Sequence, residues 1–150
     1  MRRFVVYLAR FALMILGFAV SALAASAFLH LIWFGPLDPP PEEVSGPVMD
    51  SLLLSIPFMA MVVAYFAFLP ATVVLVLAEL LGRRDWLFYA LGGGAASLFF
   101  LARHAPGMAS LAGDWPGAFL SAAAIGAGMV GGIGYWLVAG RSAGLWREAA

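Results

Sequence analysis

The sequence from Phe11 to Phe34 contains no charged residue. As an α-helix this run would be roughly 36 Å long, which is enough to cross the hydrocarbon core of a bilayer, about 30 Å thick. Of the 150 residues, 64% are hydrophobic, so too few polar side chains remain to cover the surface of a water-soluble globule. The run therefore predicts a transmembrane helix in a protein whose solvent is lipid.

Three further apolar segments follow the first, and together they predict an all-α polytopic membrane protein with a single domain, a four-transmembrane-helix bundle. The expected spans are residues 11–34, 56–79, 86–102 and 117–139. The expected connections are a proline-rich outer loop over residues 35–50, an inner turn over 80–85, a second outer loop over 103–116, and a cytoplasmic tail over 140–150.

The arginines set the expected orientation of these spans. Lys and Arg collect in the short loops on the cytoplasmic side of a membrane. On one side of the predicted bundle lie Arg2, Arg3, Arg10, Arg83, Arg84, Arg141 and Arg147. Only Arg103 falls on the other side. Both termini are therefore expected in the cytoplasm, and the expected location is a bacterial inner membrane.

Two parts of this topology have alternatives. Ala22-Leu23-Ala24 and Ala25-Ser26-Ala27 have the A-x-A form that signal peptidases accept, so the first run could be a cleaved signal peptide, although its length favours a retained span. The second helix could begin near Pro47 with an interfacial amphipathic turn ahead of a span from Pro57, which we expect, or it could form one strongly tilted helix.

Pro70 falls inside the second span. A proline within a helix lacks the backbone N–H and clashes with the carbonyl four residues earlier, here that of Phe66. The sequence therefore predicts a kink near residues 66–70, either as a static packing feature or as a hinge.

Small residues recur at four-residue spacing in the first, third and fourth spans. Such ridges let helix backbones approach closely, and lipid offers no hydrophobic effect that would drive the helices together. The ridges are expected to pack these three spans tightly with the bulkier second span around them, or to join copies of the chain into a homo-oligomer. The residues are Gly17, Ser21, Ala25, Gly93, Ser97, Ala124, Gly128 and Gly132.

Tyr65, Thr72 and Glu79 follow one another at seven-residue spacing in the second span, near one face of a helix. Ionisable groups at membrane depth are candidates for function, so these residues could line a polar path with Glu79 at its mouth. The structural interpretation is that Glu79 either extends to the lipid headgroups or pairs with Arg83, four residues later, while the two hydroxyl groups bond backbone carbonyls.

No catalytic, cofactor or metal site is expected. Cysteine is absent, which excludes thiol catalysis and thiolate metal sites. His30 and His104 lack the close spacing of metal ligands. The arginines are few and topology explains them, so no nucleic-acid partner is expected either.

Two stretches resemble a type of uncharacterised small bacterial inner-membrane protein that has four spans. They are Glu79-x-x-x-Arg83-Arg84-x-Trp86 with Tyr89, and Tyr135-Trp136-Leu137-x-Ala139-Gly140-Arg141-x-Ala143-Gly144. The resemblance implies the four-span fold and no activity.

Two functional hypotheses follow. The first is a non-enzymatic accessory or scaffold subunit that packs against itself or a larger membrane complex, with tight small-residue faces and a dry interior. The alternative is a small oligomeric transporter or channel, in which a water-accessible cavity would reach Tyr65, Thr72 and Glu79.

Overall fold

The computed structural model describes residues 2–34, 47–108 and 117–145, and this part of the chain is all-helical. The α-helices are α1 (Arg2–Phe34), α2 (Pro47–Leu81), α3 (Trp86–Met108) and α4 (Gly117–Val138), and a 3-10 turn over Gly140–Ser142 follows α4. All four helices are long and apolar enough to cross a membrane. The all-α fold with four helices of membrane-spanning length is confirmed, whereas insertion into a membrane and the side on which each terminus lies stay predictions.

The first three helices are longer than the expected spans, and the fourth ends one residue earlier than expected. α1 begins at Arg2, so Arg10 lies inside the helix instead of flanking it. α2 runs without interruption from Pro47 to Leu81, and the interfacial turn expected ahead of Pro57 is part of this helix. α3 continues to Met108. Within a bilayer the backbone must satisfy its own hydrogen bonds, which favours helix through the flanking residues as well. Most of the two predicted outer loops and the last residues of the tail lie outside the described residues.

A short turn at Gly82 brings α3 back alongside α2. Gly82 has φ of +61°, in the left-handed region that glycine adopts at little cost. The N–H of Arg83 donates to the carbonyl of Ala78 at 3.0 Å, and that of Gly82 donates to the carbonyl of Glu79 at 3.4 Å. This pattern is a Schellman motif, which ends a helix by satisfying its last carbonyls. The turn therefore fixes α2 and α3 as an antiparallel hairpin.

α4 makes the closest helix contacts, with α3 on one side and α1 on the other, while α2 packs more loosely against α1 and α3. Gly93 of α3 faces Gly128 and Gly132 of α4 so closely that a Cβ on Gly93 would overlap the Gly128 carbonyl. Ser97 also lies against Gly128. The two backbones are therefore in direct contact, as small residues permit.

The contact between α1 and α4 uses the same type of residue. A Cβ added to Gly17 would lie 2.9 Å from the Cβ of Ala139, and one added to Gly131 would lie 3.1 Å from the carbonyl oxygen of Ser21 and 3.4 Å from Ala25. Of the eight small residues predicted to pack, seven lie at these two helix contacts, and the remaining one, Ala124, lines a cavity described below.

α2 lies at the periphery. In its most hydrophobic window only 6% of the residues are buried, compared with 22% in α1 and in α4. Pro57 and Pro70 both lie inside α2, and the helix continues through them. The kink expected at Pro70 stays a prediction. α2 therefore has a broad surface that faces away from the other three helices.

Candidate functional site

Arg10 of α1 and Glu79 of α2 form an ion pair between the two helices. Glu79 is only 8% exposed, and its second carboxylate oxygen accepts a hydrogen bond from the N–H of Gly144 at 3.2 Å. The other terminal nitrogen of Arg10 donates to the carbonyl of Ala139 at 3.0 Å and to the hydroxyl of Ser142 at 2.7 Å. One arginine thus connects the first helix to the second helix and to the segment after the fourth.

The 3-10 turn after α4 brings this segment over the end of α2. Gly144 has φ of +77°, and a Cβ there would lie 3.1 Å from the Cα of Gly82. Glycine is the residue that combines this backbone conformation with so close an approach. Two left-handed glycines therefore meet at the ion pair, and Gly144 can direct its N–H at Glu79.

The turn between α2 and α3 is joined to the same segment. The Arg84 side chain donates from Nε to the carbonyl of Ala143 at 3.0 Å, and the Trp136 indole donates to the carbonyl of Arg84 at 2.6 Å. The guanidinium of Arg141 lies 4.6 Å from the centre of the Trp136 ring, within cation–π range. We call this end of the bundle the basic end, defined by Arg10, Arg83, Arg84 and Arg141.

Tyr89 of α3 and Tyr135 of α4 stack above the ion pair. Their ring centres are 5.5 Å apart and their planes are inclined by 28°. Tyr89 is 1% exposed and donates its hydroxyl to the carbonyl of Arg83 at 3.1 Å. Tyr135 is 2% exposed, and its hydroxyl has no hydrogen-bond partner among the described residues. The stacked pair separates the basic end from the middle of the bundle.

The middle of the bundle contains a cavity of about 580 Å³. Side chains of all four helices line it, and they are almost entirely apolar. The polar groups that line it come from Ser21, Ser97, Ser121 and the two stacked tyrosines. The interior therefore offers a mostly apolar space, and Tyr89 and Tyr135 are part of its wall.

Tyr65, Thr72 and Glu79 do not line one path. Tyr65 is 79% exposed, and Thr72 is exposed and donates its hydroxyl to the carbonyl of Phe68 at 2.6 Å. Only Glu79 is buried, because the segment around Gly144 covers the end of α2. None of the three lines the cavity. The polar path along the second span is therefore not formed within the chain.

The predicted pairing of Glu79 with Arg83 is wrong. α2 ends at Leu81, and the turn at Gly82 carries Arg83 off the helix, where its side chain lies 3.9 Å from Asp85. A pair at four-residue spacing requires both residues on one continuous helix. Glu79 bonds to Arg10 instead, and Arg10 is the site residue that the sequence analysis missed. It had been assigned to the flank of the first span.

Two signals pointed to this site. Arg10 and Glu79 each follow an apolar segment of their helix, and charges inside spans usually pair with each other. In addition, the two stretches that carry the four-span resemblance, Glu79 to Tyr89 and Tyr135 to Gly144, meet in space at the basic end.

The arrangement at the basic end connects the helices to one another. Both carboxylate oxygens of Glu79 accept hydrogen bonds. His30 bonds to Ser26 and Ser55, and His104 packs on Phe100. Among the described residues no group of three His, Asp or Glu side chains could hold a metal ion.

Comparison with known proteins adds no identification. No family model matches the sequence, and no curated protein or solved structure is significantly similar to it. The four apolar helices indicate a membrane-embedded protein, and what it does has to be inferred from its own geometry.

Proposed function

We propose that the protein is a non-enzymatic accessory or scaffold subunit of a larger membrane complex, and that a helix of its partner packs on the outer surface of α2. This surface, which we call the α2 face, consists of exposed side chains at helical spacing. They are Phe58, Met61, Tyr65, Phe68, Leu69 and Thr72.

Tyr65 is the observation that carries the proposal. It lies near the middle of the candidate span Leu53–Leu81, is 79% exposed, and bonds its hydroxyl to no described residue. Polar groups at membrane depth usually face protein or water, because lipid tails cannot accept a hydrogen bond. A partner helix that offers an acceptor to Tyr65 would satisfy this hydroxyl.

The remaining surfaces support the assignment to α2. The glycines in the middle of α3 and α4, at positions 92–94 and 126–134, are occupied by contacts within the chain, so they offer no free ridge for a second copy. At the basic end, the terminal nitrogens of Arg10 and the carboxylate of Glu79 are likewise bonded to groups of the same chain. No observation favours the transporter or channel alternative, because Tyr65 and Thr72 lie outside the bundle.

Site-specific photocrosslinking in cells tests this proposal. A photoreactive phenylalanine derivative placed at Met61, Tyr65 or Phe68 is expected to give the same protein adduct at all three positions. Matched controls on the outer surface of α3, at Leu91 and Leu98, which are 57% and 56% exposed, are expected to give no such adduct.

Three outcomes would count against the proposal. Adducts with lipid alone from both helices would show that the α2 face is an ordinary lipid-facing surface. An adduct of twice the chain mass would assign the face to a second copy instead of a larger complex. If Tyr65→Phe does not change the yield of the adduct formed from position 68, the Tyr65 hydroxyl does not contribute to partner binding.

A further inference from the structure

We propose that the central cavity binds one acyl chain of a membrane phospholipid. The proposal is independent of the partner assigned to the α2 face. A volume of about 580 Å³ lies within the range of about 300–1,000 Å³ that is typical of ligand-binding pockets. Most of the lining is apolar, so the ligand it suits is a hydrocarbon.

An empty space of this size would be costly to the bundle. Protein interiors are packed about as densely as organic crystals, and atoms that line a void lose the dispersion contacts they would otherwise make. Water is a poor substitute, because apolar cavities with few polar partners stay dry. Alanines such as Ala67, Ala96 and Ala124 line the cavity, so the helices bring little side-chain volume of their own to fill it.

The shape of the cavity favours a chain. On α4 alone the lining extends from Leu120 to Tyr135, roughly 22 Å at about 1.5 Å per residue. A narrow space of this length, parallel to helices that cross a membrane, matches an extended acyl chain better than a compact molecule. Phospholipid is also the solvent of such helices, so its chains surround the bundle at high concentration. The cavity is partly open, which lets the headgroup remain outside.

One unpartnered donor gives the cavity a polar group. The Tyr135 hydroxyl is buried and has no hydrogen-bond partner among the described residues. Buried donors without a partner are uncommon and call for an explanation. Tyr135 is one of the residues that line the cavity. Its hydroxyl can donate to the ester carbonyl of the lipid, which would place the carbonyl, and the headgroup next to it, toward the basic end.

Photolabelling in a defined bilayer tests the proposal. The full chain is placed in nanodiscs of phosphatidylethanolamine and phosphatidylglycerol with a trace of phospholipid that carries a diazirine within one acyl chain. After illumination, adducts are mapped by mass spectrometry. Adducts are expected at Ala124, inside the cavity, as well as at outward residues such as Leu98.

Two neighbouring alanines on α3 supply matched variants. Ala96 lines the cavity, whereas Ala95 is exposed on the outer surface. Ala96→Phe is expected to lower the adduct at Ala124 at least about fivefold, because the new ring occupies the cavity, while Ala95→Phe leaves it unchanged. Ala67→Leu fills the cavity from α2 and is expected to lower the adduct at Ala124 as well. Agreement between the two variants would show that the loss of labelling in Ala96→Phe is not caused by misfolding.

Tyr135→Phe tests this polar group. This substitution keeps the ring that stacks on Tyr89 and removes only the unpartnered hydroxyl. Loss of one hydrogen bond is expected to reduce labelling at Ala124 about twofold to tenfold, and Tyr65→Phe on the outer surface is expected to have no effect.

Equal labelling at Ala124 in the Ala95 and Ala96 variants, or adducts confined to outward residues, would overturn the proposal. Labelling that Tyr135→Phe leaves unchanged would overturn the orientation given to the chain.

Discussion

At the basic end the helices are joined by an ion pair and side-chain hydrogen bonds, whereas a few turns away the same helices surround an apolar space of about 580 Å³. In lipid, apolar side chains gain little by leaving their surroundings for one another, so backbone contact and polar bonds have to hold a bundle together. The two regions therefore have different roles. The basic end and the glycine contacts stabilise the fold, and the middle is left free to accommodate a ligand.

The largest effect is expected at the ion pair. Glu79→Leu leaves the Arg10 guanidinium buried without its carboxylate, and breaking a buried pair in this way costs about 3–5 kcal/mol of unfolding free energy. Reversible unfolding in bicelles measures the loss. Asp85→Asn, which removes the exposed partner of Arg83, is the control and is expected to cost about 0–1 kcal/mol.

The double variant Arg10→Met with Glu79→Leu sharpens this prediction, because it replaces both charges by apolar side chains. It is expected to be more stable than Glu79→Leu alone. If Glu79→Leu and Asp85→Asn cost the same free energy, the basic end does not hold the bundle together and the comparison fails.

A smaller loss is expected where α3 and α4 touch. Gly128→Ala adds a methyl group that would overlap both the Ser97 hydroxyl and the backbone carbonyl of Gly93, so we expect a loss of about 1–3 kcal/mol. Gly117→Ala is the matched control on the same helix, because its added Cβ meets nothing within 4 Å. The same unfolding assay compares the two, and equal stabilities would show that the contact is looser than described.

The left-handed glycines are expected to come next. Gly82→Ala places a side chain in the left-handed region with open space around it and should cost about 1 kcal/mol. Gly144→Ala carries the same backbone penalty and also crowds Gly82, so its loss should be greater. Thermal unfolding of both variants checks the order, and a reversed order would contradict the close approach of these two residues.

The smallest effect is expected in the cavity. Ala96→Leu enlarges a side chain that faces open space, so the free energy of unfolding should change by less than about 1 kcal/mol, in contrast to overpacking in a filled core. The same unfolding assay compares the free energies of unfolding of Ala96→Leu and Gly128→Ala. A loss as large as that of Gly128→Ala would mean that the middle of the bundle has no room for a ligand.

The sequence predicted what depends on local pattern and missed what depends on contacts between distant segments. Apolar runs and the glycine at position 82 indicate helices and a turn because each acts through its own neighbours in the chain. The bond between Arg10 and Glu79 joins residues 69 positions apart, and no local spacing encodes it.

The cavity was beyond prediction for a different reason. A small residue such as Ala124 is as compatible with close helix contact as with the wall of an open space, and only the placement of all four helices decides between them. Likewise, the seven-residue spacing of Tyr65, Thr72 and Glu79 predicts that the three residues share one face of the helix. It does not predict which of them is buried by another segment of the chain.

The partners of Arg10 also impose an order on biosynthesis. Glu79 is made 69 residues after this arginine, and Ser142, the last of its acceptors along the chain, is made 132 residues after it. Because the ribosome adds about 5–20 residues per second, the Glu79 carboxylate is made several seconds after Arg10, and the last acceptor takes roughly twice as long. We expect the first helix to enter the bilayer with an uncompensated charge, and the ring of helices to close only after the fourth has been inserted.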